Sequence, residues 1–206
     1  MKTKQLFTIL LIATLSFNIS SCAKDNSDFT LNSTSEIQNA FENPQKLKTE
    51  DFEKKVSGYG WQLVTSYEIK EDGTIDYSRD YYEDRVDSST KNYYFATDYY
   101  ISYYNDLAFG LGDVFRKQNS EYDYQTSTIY PILEDGTRGN AAFVILKVDT
   151  NILFVKQLMG LRHADNKEEY IPVYTVSAYK KMSNEDYEKM KNNHRNVEDA
   201  QKEFTE

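Results

Sequence analysis

The chain of 206 residues has one cysteine, one tryptophan and two histidines. A single thiol excludes an intramolecular disulfide, so in an oxidising compartment the fold rests on packing. Three or four Cys, His or acid ligands are wanted for a zinc site, and this supply is too thin for one. Basic residues are also in deficit. The 24 Lys and Arg against 33 Asp and Glu give a formal net charge of −9, a balance that repels phosphate backbones and excludes nucleic acid as a partner. Beyond the first 19 or so residues no run approaches the roughly 20 apolar residues that span a bilayer.

What the chain does have begins at its first residues. Lys2 and Lys4 form a positive start, and Leu6 to Ile19 is apolar but for Thr8, Thr14, Ser16 and Asn18. That length suits a secretory leader and is short for a membrane span. Ile19, Ser20, Ser21 and Cys22 follow in an order that resembles the bacterial lipobox: an aliphatic residue, two small residues, then the acylated cysteine. The resemblance implies a signal peptide over residues 1–21 and acyl chains on Cys22. Two or more chains give stable membrane attachment without spanning. Losing Lys2 and Lys4 with the leader takes the formal net charge from −9 to −11. The implied location is the bacterial cell envelope, anchored at the outer membrane, with the periplasmic and outer faces both open. Lys24-Asp25-Asn26-Ser27-Asp28 reads equally as a surface-export tag or as a plain tether.

Tyrosine is abundant, with 18 residues, all after the leader, beside 11 phenylalanines. Tyrosine suits pleated, half-buried surfaces, so composition leans to β structure. Residues 22–48 read as a lipidated tether with a weak helix start at Ser33 and Glu36. Thr49 starts a short helix with Phe52 and Val56 on one face. Trp61, Leu63, Thr65, Tyr67 and Ile69 alternate on one strand face, disturbed only by Val64. Glu71-Asp72-Gly73-Thr74 recurs as Glu134-Asp135-Gly136-Thr137, and Asp-Gly between strands predicts tight turns. Over 93–104, Tyr93, Phe95, Tyr99, Ile101 and Tyr103 share one parity, in one strand or in two joined near Thr97-Asp98. A further strand face runs from Tyr122 to Ile132. The most apolar runs, Ala141 to Val148 and Ile152 to Met159, form a hairpin about Asp149-Thr150-Asn151. Tyr170 to Lys180 is a final strand, and Ser183 caps a charged helix. The sum is an all-β domain with short flanking helices, an antiparallel barrel or sandwich of about eight strands. It occupies residues 49–190, and the charged tail over 191–206 is expected to fray.

Gly58-Tyr59-Gly60-Trp61-Gln62-Leu63-Val64 opening a run of strands, and Tyr179-Lys180-Lys181-Met182-Ser183 leading into a helix, resemble lipocalin-like domains of bacterial lipoproteins. The resemblance implies an antiparallel lipocalin-like barrel. Its candidate cavity lining is Trp61, Leu63, Tyr67, Tyr93, Phe95, Tyr99 and Tyr103.

No catalytic signature appears. There is no G-x-S-x-G turn to serve His163. Gly110-Leu111-Gly112 lacks a dinucleotide context and suits a bend. The acids Asp80, Glu83 and Asp84 sit in a charge-dense stretch that reads as a solvated loop. The expectation is therefore no enzyme activity and no cofactor or metal. The partners are a membrane reached through Cys22 and either a small apolar or glycan ligand in the barrel or a protein partner. In the second case the barrel is filled and its outer tyrosines make the contact.

Overall fold

In the computed structural model the described residues are 34–82, 92–163 and 170–205. The leader, Cys22, Glu83 and Asp84 therefore lie outside them. Two short helices, α1 (Thr34–Glu42) and α2 (Thr49–Lys55), precede eight strands. These are β1 (Gly60–Ile69), β2 (Asn92–Phe95), β3 (Tyr99–Asp106), β4 (Gly112–Asp123), β5 (Thr128–Pro131), β6 (Phe143–Val148), β7 (Ile152–His163) and β8 (Tyr170–Lys181). Helix α3 (Asn184–Asn193), a two-residue strand β9 (Arg195–Asn196) and helix α4 (Val197–Thr205) follow. Each of β1 to β8 pairs antiparallel with its sequence neighbours, and β1 with β8 completes the ring. The result is a closed eight-stranded barrel, consistent with a lipocalin-like fold.

The turns follow their chemistry. Asp72 accepts from the Thr74 backbone N–H at 2.9 Å and its hydroxyl at 2.6 Å, and Asp135 does the same for Thr137. Gly73 and Gly136 supply the positive φ, 83° and 81°, that such turns need.

One end of the barrel is closed by α2. Phe52 and Val56 enter the interior beside Leu47, and the Trp61 indole donates to Val56 O at 3.0 Å. Phe95, Tyr93, Phe143, Ile145, Leu153, Val155 and Tyr179 continue this core upward. Ring edges meet ring faces at Phe95–Phe143 (5.2 Å) and Tyr93–Phe143 (4.9 Å), while Phe52 stacks on Tyr122 at 4.1 Å. Burying each such side chain stabilises the fold by about 1.5–3 kcal/mol. The other end, here the mouth, carries the β1–β2, β3–β4, β5–β6 and β7–β8 connections.

Outside the barrel, α1 lays Ile37 and Ala40 on Leu146, Phe154, Val176 and Ala178. Helix α3, capped by Ser183 Oγ accepting from Asp186 N, covers β2 and β3 with Tyr187 and Met190. Residues 195–205 of the tail form β9 and α4. β4 pairs with β5 only from Ser120 to Asp123, and β9 takes the free edge at Val114 and Phe115. Helix α4 then packs Val197 and Ala200 on Leu111, Val114 and Tyr104; the register of β3 with β4 turns Val114 and Tyr104 to the inner side, so α4 covers part of the mouth and not the outer wall.

Two faces differ from those the alternation predicts. Val64 is a bulge, so Trp61 and Leu63 point inward while the odd-numbered residues after it turn outward. Tyr67 thus lies on the wall, against Tyr77 at 5.0 Å. Thr97 and Asp98 form the β2–β3 turn, which pairs Phe95 with Tyr100 rather than continuing one strand. That resets the parity: Tyr100 and Tyr104 face inward, and Tyr99 and Tyr103 outward. The run from Tyr122 to Ile132 is likewise two strands, broken by a turn in which Gln125 N donates to Asp123 and Ser127 has φ 53°.

Candidate functional site

Of the residues expected to line a cavity, Trp61, Tyr93 and Phe95 are fully buried in the closed half and fill it. Leu63 packs against the same core. Tyr67, Tyr99 and Tyr103 are on the outer face and line no interior space. Tyr103 is covered by Tyr187 and His194, while Tyr99 stacks on Tyr94 beneath Lys117 Nζ.

The interior changes character halfway up. Gln157 on β7 donates to the Tyr93 hydroxyl at 2.7 Å and accepts from the Tyr179 hydroxyl at 2.9 Å. Burial holds both phenols well above the ordinary tyrosine range. Toward the mouth the inward positions are polar. Ser66 Oγ and Ser177 Oγ lie 2.7 Å apart across β1 and β8, and Thr175 is 3.3 Å from Ser177. Glu68 hydrogen-bonds Arg162, which also reaches Glu71 at 3.7 Å.

On the opposite wall, β3 and β4 turn Tyr100, Ser102, Tyr104 and Arg116 inward by register. Tyr100 touches Tyr93 and Phe143. Burial pushes it up to about 12, against the opposing pull of the Arg116 charge. Tyr104 is raised by burial and lowered by the same arginine. Arg116 itself is exposed, and among the described residues no carboxylate is within ion-pairing distance of it. A solvent-reached cation flanked by two phenols over a hydrogen-bonded floor suits polar or anionic groups of a ligand whose remainder stacks on rings. A separate recess of about 460 Å³ lies along the β5–β6 turn, bounded by Pro131, Leu133, Arg138, Gly139, Ala142 and, from β7, Leu158.

Of the acids Asp80, Glu83 and Asp84, only Asp80 is among the described residues. Asp80 is engaged as a structural acceptor, from Thr65 Oγ1 at 2.6 Å, Ser66 N at 3.0 Å and Tyr82 N at 2.9 Å. His194 Nδ1 lies 2.7 Å from Met190 O. Gly110 and Gly112 have positive φ in the β3–β4 connection, the bend their spacing suggests. Among the described residues no group of three His, Cys, Asp or Glu side chains could hold a metal.

Tyr100, Tyr104, Arg116 and Gln157 escape the alternation pattern. For the first two the only signal is the Thr97-Asp98 break. For Gln157 it is an amide among Ile152, Leu153, Phe154, Val155 and Leu158, a polar group that burial obliges to be paired. Comparison with protein-family models, with curated proteins and with solved structures gave no match.

Proposed function

We propose that this chain is a non-enzymatic, lipid-anchored envelope protein, held by acyl chains on Cys22 at the outer membrane. Its barrel takes a small apolar or glycan ligand at the mouth. The observation that carries the reading is the inward, solvent-reached Arg116 between Tyr100 and Tyr104, above the floor made by Tyr93, Gln157 and Tyr179. Rings with hydroxyls and one cation recognise sugar faces and polar ends, whereas a purely apolar calyx would not need them.

A second reading has its own support. The closed half is packed with its own rings, and Tyr94, Tyr99 and Tyr187 form a stacked outer group. In that reading the barrel is filled, and the outer tyrosines bind a protein.

Native mass spectrometry of the full chain, purified from its host in detergent and compared with its denatured mass, tests the choice. An adduct beyond the acyl chains, lost on denaturation and weakened by Arg116→Gln, is the result expected for a ligand carrier. A bare acylated mass would favour the filled barrel.

A further inference from the structure

Exposed apolar side chains are not scattered on this protein. Among the described residues the large ones are Val64, Leu107, Phe109, Tyr124, Leu133, Leu161 and Tyr170. Leu107 and Phe109 stand in the β3–β4 connection, Leu133 follows β5, and Leu161 and Tyr170 are on the last and first turns of β7 and β8. An antiparallel meander puts all three of these hairpin ends at the mouth. Only Val64, on the wall, and Tyr124, at the closed end, fall elsewhere. Phe109 is 71% exposed and Leu161 65%. Three separate hairpins thus hold up a collar of exposed apolar side chains, led by Phe109 and Leu161, around a mouth that α4 enters beside Leu111.

We infer that this collar rests on the membrane surface, so that the mouth faces the bilayer. The inference relies on the acylation of Cys22 proposed above, and it adds a second contact and an orientation. The described chain begins on the correct side. Helix α1 starts at Thr34, whose carbonyl accepts from the Tyr77 hydroxyl at 3.4 Å, beside the mouth-side half of β1. It then runs toward the closed end, where Gln45 N donates to Leu146 O. Residues 23–33 are all that separates Cys22 from Thr34. Fully extended they reach no more than about 40 Å, at 3.3–3.6 Å per residue. A tether that short keeps the domain at the interface, where side chains such as Phe and Leu enter the headgroup boundary.

Charge selects the kind of lipid. Among the described residues the mouth connections and adjoining strand ends carry the acids Glu71, Asp72, Asp76, Asp80, Asp106, Glu134 and Asp135, outnumbering the bases Lys70, Arg79, Arg138 and Arg162. This acidic excess favours a zwitterionic surface over an anionic one. The lysines at the closed end, Lys46, Lys48, Lys54 and Lys55, alternate with Glu50, Asp51 and Glu53, so that end offers no competing basic face.

The test uses the full acylated chain in phosphatidylcholine vesicles with brominated acyl chains, carrying Phe109→Trp or Tyr124→Trp. Trp61, buried at the closed end, is a constant background. The expected result is blue-shifted, bromine-quenched emission from Phe109→Trp and solvent-like, unquenched emission from Tyr124→Trp. Solvent-like emission from Phe109→Trp in a chain that still floats with the vesicles overturns the orientation and leaves the anchor standing. A blue shift without quenching overturns it in favour of a second protein copy on the collar. A chain that does not float overturns the anchor and the orientation together.

Discussion

Gln157 and Tyr93 face each other across the barrel interior, the amide nitrogen 2.7 Å from the phenol oxygen, and both are buried. The same amide accepts from Tyr179, so one side chain satisfies two hydroxyls that have lost water. Gln157→Leu keeps the bulk and removes both partners. Each stranded hydroxyl then costs about 1–3 kcal/mol. A lowered urea midpoint with unchanged slope is expected; an unchanged midpoint would show that the belt does not hold the core.

Tyrosine ionisation should unfold the protein from the alkaline side. Burial raises Tyr93, Tyr179 and Tyr103, and pushes Tyr100 up to about 12. In the unfolded chain these phenols titrate near 10. Above that pH the unfolded state gives up protons that the folded state keeps, so stability falls with rising pH. The denaturant midpoint should therefore be flat below about pH 9 with respect to these groups, and drop as pH climbs from 10 toward 12. Phenolate absorbance should lag behind that of free tyrosine until unfolding. Full tyrosine ionisation in a still-folded barrel would contradict the burial.

Gly60 has no room for a side chain. A Cβ there would lie 2.6 Å from Tyr187 Cδ2 and 3.1 Å from Met182 Sδ. Gly60→Ala should force α3 off the wall and cost about 1–3 kcal/mol. Combining it with Tyr187→Ala should recover part of the loss in a double-mutant cycle; strict additivity would mean that the two positions do not meet.

The barrel class is legible in the sequence. The Asp-Gly turns, the apolar hairpin at Asp149-Thr150-Asn151 and the strand opening at Trp61 each carry a local physical signal, and each is where the signal predicts. The inward face is legible only in part. Period-two counting assumes an unbroken strand, and a single bulged residue at Val64 or a turn at Thr97-Asp98 inverts everything after it. Alternation therefore puts Tyr67, Tyr99 and Tyr103 inside, whereas the fold turns Tyr100 and Tyr104 inward instead. The tail's packing is also hidden. Val197 and Ala200 are a sparse apolar stripe among charges, and their partners Leu111 and Val114 are more than eighty residues distant.

That stripe has a testable role. Val197→Asp should place a carboxylate on Leu111 and Val114 and detach α4 while leaving most of the sheet paired. The expected outcome is increased binding of a hydrophobic dye with near-native far-UV circular dichroism. Dye binding equal to the parent protein would show that α4 does not cover these residues.

Cys22→Ala should move the protein from the membrane pellet to the soluble fraction after export. Retention in the pellet would remove the acyl anchor from the account, since one weakly held apolar collar does not hold a domain against dilution.

The edge that β4 leaves free beyond β5 is filled by β9 and α4, the last described elements. The first strand likewise waits for the eighth before the ring can form. Both closures join residues far apart in the chain, Trp61 with Lys181 and Val114 with Arg195, so each carries a large loop-closure entropy. The order of strands therefore makes the local hairpins available early and the closing of the ring late.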